Sequence, residues 1–230
     1  MSSRVPGSVQ DPTKITFHPS SEDTAASHHL IYFITGNPGL IGYYRTFLQT
    51  LHGLLSSSPT STSNIFHIHG QSLAGFEDSS TSPRQTPYSL EDQISFSLTS
   101  LQGLRIPSGP QNSQPYATII LIGHSVGSYI LLEIINRHRK SSSSLTIKAG
   151  ILLFPTVTQI AHSPSGVKIS TLFRIPDFPR RTSFLAKNLI LLVPRNVLKW
   201  LVTVVTRMPD DAAEITTRFL KSQMGIWQAL

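Results

Sequence analysis

Residues 123–127 read Gly-His-Ser-Val-Gly, so that a serine, Ser125, lies between two glycines. The apolar, β-branched run from Ala117 to Ile122 predicts a buried strand before it, and the apolar residues from Ser128 to Ile135 predict a packed helix after it. A serine in a tight turn from strand to helix is a nucleophile elbow, whose small neighbours let the two elements approach closely. The pattern predicts that Ser125 attacks an acyl carbon to form an acyl-enzyme. The alternative is a structural turn that contains a serine.

Gly123, His124 and Gly127 complete the predicted elbow. An acyl-transfer site also needs N–H donors for the oxyanion, usually from the residue after the nucleophile and from the loop after an earlier strand. Val126 supplies the first donor by its position. For the second, residues 36–39 read Gly-Asn-Pro-Gly after a predicted strand, and Asn37 is the candidate because proline has no N–H. The alternative here is an ordinary turn from a strand into a helix.

These residues need a framework that brings several loops to one edge of a sheet. The chain alternates apolar strands with amphipathic helices, and this alternation predicts a parallel sheet with helices on both faces. Ser89 followed by Asp92 resembles a capping box at the start of one helix. The predicted strands are Leu30–Thr35, Ile65–Ile68, Ala117–Ile122 and Ile147–Phe154. Catalytic loops lie at the carboxyl ends of such strands.

The amino-acid composition argues against several classes of function. The 230 residues suit one α/β domain, and the absence of cysteine rules out disulfides and thiolate metal sites. The net charge of +7 comes mostly from scattered basic residues without interleaved aromatic ones, which argues against a nucleic-acid partner. The polar N-terminus lacks the apolar core of a secretory signal. We expect no cofactor and no metal.

Four segments, in their order and spacing, resemble the lipid droplet-associated hydrolase family of α/β-hydrolases: GNPGLIGYY, YSLEDQI, IGHSVGSYI and KAGILLFPTVTQIAHSPSG. The resemblance extends from Leu30 to Leu230, and Ser125 matches the family's nucleophile. It implies an α/β-hydrolase fold with a mostly parallel sheet, flanking helices and a helical cap. It also implies a lipid ester as substrate, such as a sterol ester or triacylglycerol. The implied location is the lipid droplet, with the endoplasmic reticulum or cytoplasm as further compartments.

The acid and base of a catalytic triad are not found in the expected order, which is serine, then Asp or Glu, then histidine. Only His138 and His162 follow Ser125, and the only acidic residue between Ser125 and His162 is Glu133. Glu133 and His138 belong to the helix after the elbow and point away from it. The resemblance implies that the acid and base come from strands after the cap. We therefore expect these C-terminal strands to be missing from this chain.

The other histidines are assigned no catalytic role. His162 is predicted to be a loop residue and His124 to point away from Ser125. His67 and His69 follow an early strand and are expected near the mouth of the active-site pocket. The remaining four histidines are expected at the surface: His18, His28, His29 and His52.

The chain is divided into three regions: a partly disordered N-terminal segment (1–29), an α/β-hydrolase core (30–157) and a helical cap or lipid-contacting region (158–230). Two functions are compatible with this sequence. One is a lipid-ester serine hydrolase that is incomplete in this chain, and the other is a non-catalytic protein that binds lipid droplets. Either would contact a lipid-droplet or membrane surface.

The most apolar stretch after the sheet, Phe184–Met208, is interrupted by Lys187, Arg195 and Lys199 and is split by Pro194. It lacks the roughly 18 uncharged apolar residues that a transmembrane helix needs. We predict two short helices that lie in a lipid surface or, alternatively, pack on the core as an ordinary cap.

Overall fold

The part of the chain that the structure describes forms a five-stranded sheet with helices on both faces, followed by four further helices. In the computed structural model, the described residues are 11–19, 25–58, 63–76, 86–141, 144–158, 162–172, 174–222, Ile226 and Gln228. The sequence also predicts a serine-rich loop at 78–83, and this segment lies outside the described residues.

The strands are β1 (Lys14–Phe17), β2 (Ser27–Ile34), β3 (Asn64–Gln71), β4 (Thr118–His124) and β5 (Ile147–Leu153). Their order in the sheet is β1-β3-β2-β4-β5. β1 is antiparallel to β3, while the other three pairs of neighbouring strands are parallel. The carboxyl ends of β2, β3, β4 and β5 therefore meet at one edge, where an α/β sheet binds its ligands.

The alternation of side chains along β2 builds a core on each face of the sheet, because successive residues of a strand point to opposite sides. Tyr32 and Ile34 join the first cluster, and Ile31 and Phe33 join the second. Helices α2 (Leu90–Gly103) and α3 (Val126–Lys140) cover the first cluster, whereas α1 (Arg45–Ser56) covers the second through the buried Leu48.

The last part of the chain is helical: α4 (Pro164–Leu172), α5 (Phe178–Leu192), α6 (Arg195–Thr206) and α7 (Asp210–Lys221). α7 joins this region to the core, since Tyr43 Oη lies 2.7 Å from Thr216 Oγ1 and Phe219 stacks on Phe76. α7 also holds α6 through salt bridges of Glu214 with Arg195 and Lys199.

The predicted α/β-hydrolase architecture is confirmed. The predicted capping box at the start of α2 is also present: Ser89 Oγ accepts from the Asp92 N–H, and the Asp92 carboxylate accepts from the Ser89 N–H. β1, which extends the sheet from within the predicted N-terminal segment, was not predicted. The sequence also indicates a loop over 154–168, whereas α4 begins within that range, at Pro164. On the outer side of β5, no described strand pairs with it.

The predicted split of Phe184–Met208 is confirmed, since α5 ends at Leu192 and α6 begins at Arg195. Within the described residues, no single helix is long and apolar enough to cross a membrane. The helical segments Arg180–Leu192 and Arg195–Thr206, which are bent by 115° relative to each other, reach that length and hydropathy only when taken together.

The expected positions of several histidines were wrong. His67 and His69 are buried in β3, and His28 is buried in β2, so none of them lies at a pocket mouth or at the surface. His67 bridges two other rings, with Nε2 at 2.8 Å from His28 Nδ1 and Nδ1 at 3.2 Å from His18 Nδ1. Burial, followed by the neighbouring His18, His28 and His52, lowers the pKa of His67 to about 4. Among the described residues, no group of three or more His, Asp or Glu side chains is arranged to hold a metal ion.

Candidate active site

Ser125 occupies the turn between β4 and α3 in a conformation that side chains rarely adopt. Its φ and ψ are 52° and −120°, outside the regions that suit helices and strands. Its N–H donates to the carbonyl of Leu153 at the end of β5, at 2.9 Å. A non-glycine residue held in such strain is typical of functional sites, where the surrounding structure imposes the conformation.

The two elbow glycines stand where no side chain fits. A Cβ added to Gly123 would lie 2.4 Å from the carbonyl oxygen of Gly127. A Cβ added to Gly127 would lie 2.4 Å from the carbonyl oxygen of Ile34 and 2.5 Å from that of Thr35. The glycines therefore allow strand β4, helix α3 and the end of β2 to meet at backbone distance, as a nucleophile elbow requires.

The turn after β2 lies directly against the serine. A Cβ on Gly36 would be 3.0 Å from Ser125 Cβ, which places the next residue, Asn37, beside the elbow. Val126 is the first residue of α3, so its N–H has no partner within the helix. Among the described residues, neither the Asn37 nor the Val126 amide donates a hydrogen bond to another group. Both amides are thus available at the position that the sequence analysis assigned to the oxyanion hole.

His124 points towards this turn rather than towards Ser125. Its Nδ1 lies 2.9 Å from Tyr44 Oη, and the same oxygen accepts the N–H of Gly36 at 3.1 Å. Burial raises the pKa of Tyr44, so its hydroxyl stays protonated while it contacts His124 Nδ1. Tyr44 therefore connects the Ser125 turn to the turn at residues 36–39, a contact that the sequence did not predict.

The Ser125 hydroxyl has a polar neighbour that the sequence analysis also missed. Thr156 follows β5, and its Oγ1 lies 3.0 Å from Ser125 Oγ, while its N–H donates to the Ser125 carbonyl at 3.3 Å. In the part of the chain that the structure describes, no imidazole hydrogen-bonds to Ser125 Oγ. His162 is exposed before α4, and His138 lies at the far end of α3. Glu133, in α3, pairs with Arg137.

Comparisons with known proteins agree with this geometry. A family model described as lipid-droplet associated hydrolase matches residues 27–230. The lipid droplet-associated hydrolase of Gallus gallus is 34% identical over 140 residues, which are 60% of this chain and 40% of that protein. That of Dictyostelium discoideum is 27% identical over 200 residues, covering 87% of this chain and 58% of the relative. The chain thus spans between about two fifths and three fifths of the length of these relatives.

Among solved structures, the Aspergillus niger epoxide hydrolase superposes with a TM-score of 0.51 at 13% identity, over 94% of this chain and 59% of that one. This likeness concerns the fold alone. The family match over residues 27–230 shows that the chain belongs to the lipid-droplet associated hydrolase family of α/β-hydrolases.

Proposed function

We propose that the protein is a serine hydrolase of lipid esters in which Ser125 is the nucleophile. Its hydroxyl oxygen attacks the ester carbon, the alcohol leaves, and the acyl group stays on Ser125 until water releases it as a carboxylic acid. The amides of Asn37 and Val126 stabilise the negative charge on the ester oxygen in the tetrahedral intermediate. The strained conformation of Ser125 between Gly123 and Gly127 is the observation that carries this proposal.

The general base is not assigned to a described residue, because no histidine among them reaches Ser125. Without a base, the elbow and oxyanion hole retain residual catalysis, typically ~10³ to 10⁴-fold over the reaction in water. The lipid substrate is supported by the names of the relatives, which are lipid droplet-associated hydrolases.

A fluorophosphonate probe tests the nucleophile directly, because phosphonates form a covalent bond with a nucleophilic serine. We expect mass spectrometry of the labelled 230-residue chain to find an adduct that forms slowly on Ser125, since no described base activates its hydroxyl, and we expect none in Ser125→Ala. Thermal melting of both proteins controls for folding. Undiminished turnover of a p-nitrophenyl ester by pure, folded Ser125→Ala would refute the assignment.

A non-catalytic role at the droplet surface is a second candidate, favoured by the outer faces of α5 and α6. Most of the large apolar side chains of these helices are exposed, including Phe184 (72%), Leu192 (82%) and Val205 (78%). A cap that only packed on the core would bury such residues. Absence of any phosphonate label on the folded chain, together with retained droplet binding, would favour this role over hydrolysis.

The same surface supports the proposed location at lipid droplets. Trp200 is 61% exposed on α6, and the nearby Lys187 and Lys199 carry long side chains that can reach polar head groups. Helices that expose apolar side chains next to basic ones lie in the plane of a lipid surface, with the apolar side chains in the acyl region. Two readouts follow: hydrolysis depends on Ser125, and surface binding depends on α5 and α6.

A further inference from the structure

A cavity of about 190 Å³ lies where α7 meets the core, apart from the residues assigned to hydrolysis. Its walls come from Leu40 and Gly42 after β2, Ser72 after β3, and Ile215 of α7. These walls follow the carboxyl ends of two parallel strands, which is the edge where α/β sheets bind ligands. α7, which forms one wall of the cavity, also contacts α6 through the salt bridge between Glu214 and Arg195.

Two arginines and a hydroxyl face this cavity. Arg45 at the start of α1 and Arg218 of α7 both line it. Arg218 Nε is buried and has no hydrogen-bond partner among the described residues. A buried N–H of a cation is costly unless an acceptor binds it. Ser72 Oγ lies at 3.1 Å from Ile41 N and accepts its N–H, so the Ser72 hydroxyl proton remains available for a ligand.

The remaining lining is apolar. Leu40, Phe76 and Phe219 are buried side chains of the core, and the rings of Phe76 and Phe219 stack with centroids 5.7 Å apart. Gly42 allows Ile215 of α7 to approach the turn after β2 closely, since a Cβ on Gly42 would lie 2.7 Å from Ile215 Cδ1. Thr13 also lines the cavity, but its hydroxyl and N–H donate to the Asp11 carboxylate.

We propose that this cavity, the Arg218 cavity, binds the anionic head of an amphiphile, with the head at Arg218, Arg45 and Ser72 and the first methylenes of the tail against Phe76 and Phe219. A guanidinium prefers carboxylate or phosphate oxygens, and the apolar wall selects a ligand with a hydrocarbon chain over a small inorganic anion. Two sources share this chemistry: a fatty carboxylate, which rests on the proposed ester hydrolysis as its product, and the phosphate of a phospholipid.

Binding is measured on the Ser125→Ala chain, so that hydrolysis plays no part in the result. Isothermal titration compares octanoate, octyl phosphate, octanol and inorganic phosphate, all below their aggregation concentrations. We expect the two amphiphilic anions to bind and octanol and inorganic phosphate to bind at least about ten-fold more weakly, as loss of a charged hydrogen bond or of the apolar contact requires. Tighter binding of octanoate identifies the carboxylate source, and tighter binding of octyl phosphate identifies the phospholipid source.

The decisive variant is Arg218→Gln, with Arg207→Gln as its matched control. Arg207 is an exposed arginine just before α7, so its replacement removes the same charge outside the cavity. We expect Arg218→Gln to weaken octanoate and octyl phosphate binding about ten-fold or more and Arg207→Gln to leave it within two-fold. Equal binding by Arg218→Gln and the parent chain would overturn the proposal.

A second measurement needs no variant and therefore stands if Arg218→Gln fails to fold. Phenylglyoxal modifies accessible guanidinium groups, and mass spectrometry reports the extent at each arginine. We expect octanoate to protect Arg218, but not Arg207, while octanol protects neither. Unchanged modification of Arg218 with saturating octanoate and octyl phosphate would refute the site. The phosphonate reaction of Ser125 is a separate readout, so failure of this site and failure of the proposed hydrolysis are distinguishable.

Discussion

The hydroxyl oxygens of Ser125 and Thr156 lie 3.0 Å apart, which links the elbow after β4 to the loop after β5. The link is reinforced by the Thr156 N–H, which donates to the Ser125 carbonyl, and by the Ser125 N–H, which donates to Leu153. A serine whose backbone and side chain are both held by β5 and the loop after it has few rotamers open to it. The reactivity of the Ser125 hydroxyl should therefore depend on Thr156, which positions it.

Replacement of Thr156 by valine keeps the shape of the side chain and removes the hydroxyl. We expect the rate of phosphonate labelling at Ser125 to fall about five-fold, equivalent to about 1 kcal/mol for one lost hydrogen bond, with little change in melting temperature. Thr158→Val is the control, because Thr158 is exposed in the same loop. An unchanged or faster labelling rate in Thr156→Val would mean that the contact does not position the nucleophile.

Tyr44→Phe removes the oxygen that accepts the Gly36 N–H and contacts His124 Nδ1. We expect a lower kcat for ester hydrolysis with a nearly unchanged KM, because the oxyanion turn acts on the transition state more than on the bound substrate. Tyr43→Phe is the matched control, since the Tyr43 hydroxyl contacts Thr216 of α7 instead. A change confined to KM in Tyr44→Phe would contradict the role of Tyr44 in positioning this turn.

Gly127→Ala tests the close backbone contact at the elbow. Its added methyl would meet the carbonyl oxygens of Ile34 and Thr35 at 2.4 Å and 2.5 Å, and the end of β2 cannot retreat without disturbing its pairing with β3 and β4. We expect a loss of several kcal/mol in the free energy of unfolding. Gly53→Ala in α1 is the control, because nothing lies within 4 Å of its added Cβ, and there we expect a gain of roughly 0.5–1 kcal/mol. Chemical denaturation measures both.

The buried histidines should make the folded state less stable in acid. Burial is the main cause that lowers the pKa of both His67 and His69 to about 4, whereas an unfolded histidine titrates near 6.5. Between these values the unfolded chain binds protons that the folded chain does not, so stability falls as the pH drops from about 6.5 towards 4. Each group contributes up to about 1.4 kcal/mol per pH unit in this window.

Denaturation at several pH values checks this slope, and His67→Gln should reduce it. The exposed His162→Gln provides the control with the same loss of an imidazole. A stability that stays constant from pH 7 to pH 4.5 would contradict the assignment of neutral, buried rings.

The tight turns at Ser125 and after β2 were predictable because local sequence determines them. Ser125 and its glycines are adjacent in the chain, and Asn37 directly follows an apolar strand. Tyr44 and Thr156 were not predictable, since they reach the site from elements 80 and 31 residues away from their partners. Likewise, the burial of His28 and His67 depends on the pairing of β2 with β3, which no single-strand pattern reveals.

The exposed faces of α5 and α6 lead to the last prediction. Leu191 (49%), Trp200 (61%) and Val204 (53%) are exposed, so their replacement by serine removes apolar surface without opening a cavity in the core. If these faces enter the acyl region of a lipid surface, the triple variant loses roughly 2–3 kcal/mol of transfer free energy for each fully inserted large side chain.

We therefore expect the triple variant to become cytosolic in lipid-loaded cells, as followed with a fluorescent fusion, while its melting temperature stays near that of the parent. The matched control replaces the buried Leu198 and Val202 of α6 by alanine. This change should lower the melting temperature, because these two side chains pack against the rest of the protein. Purified protein floated with phospholipid-coated triolein droplets gives the same comparison without cellular partners. A folded triple variant that still coats droplets as the parent does would show that α5 and α6 do not provide the anchor.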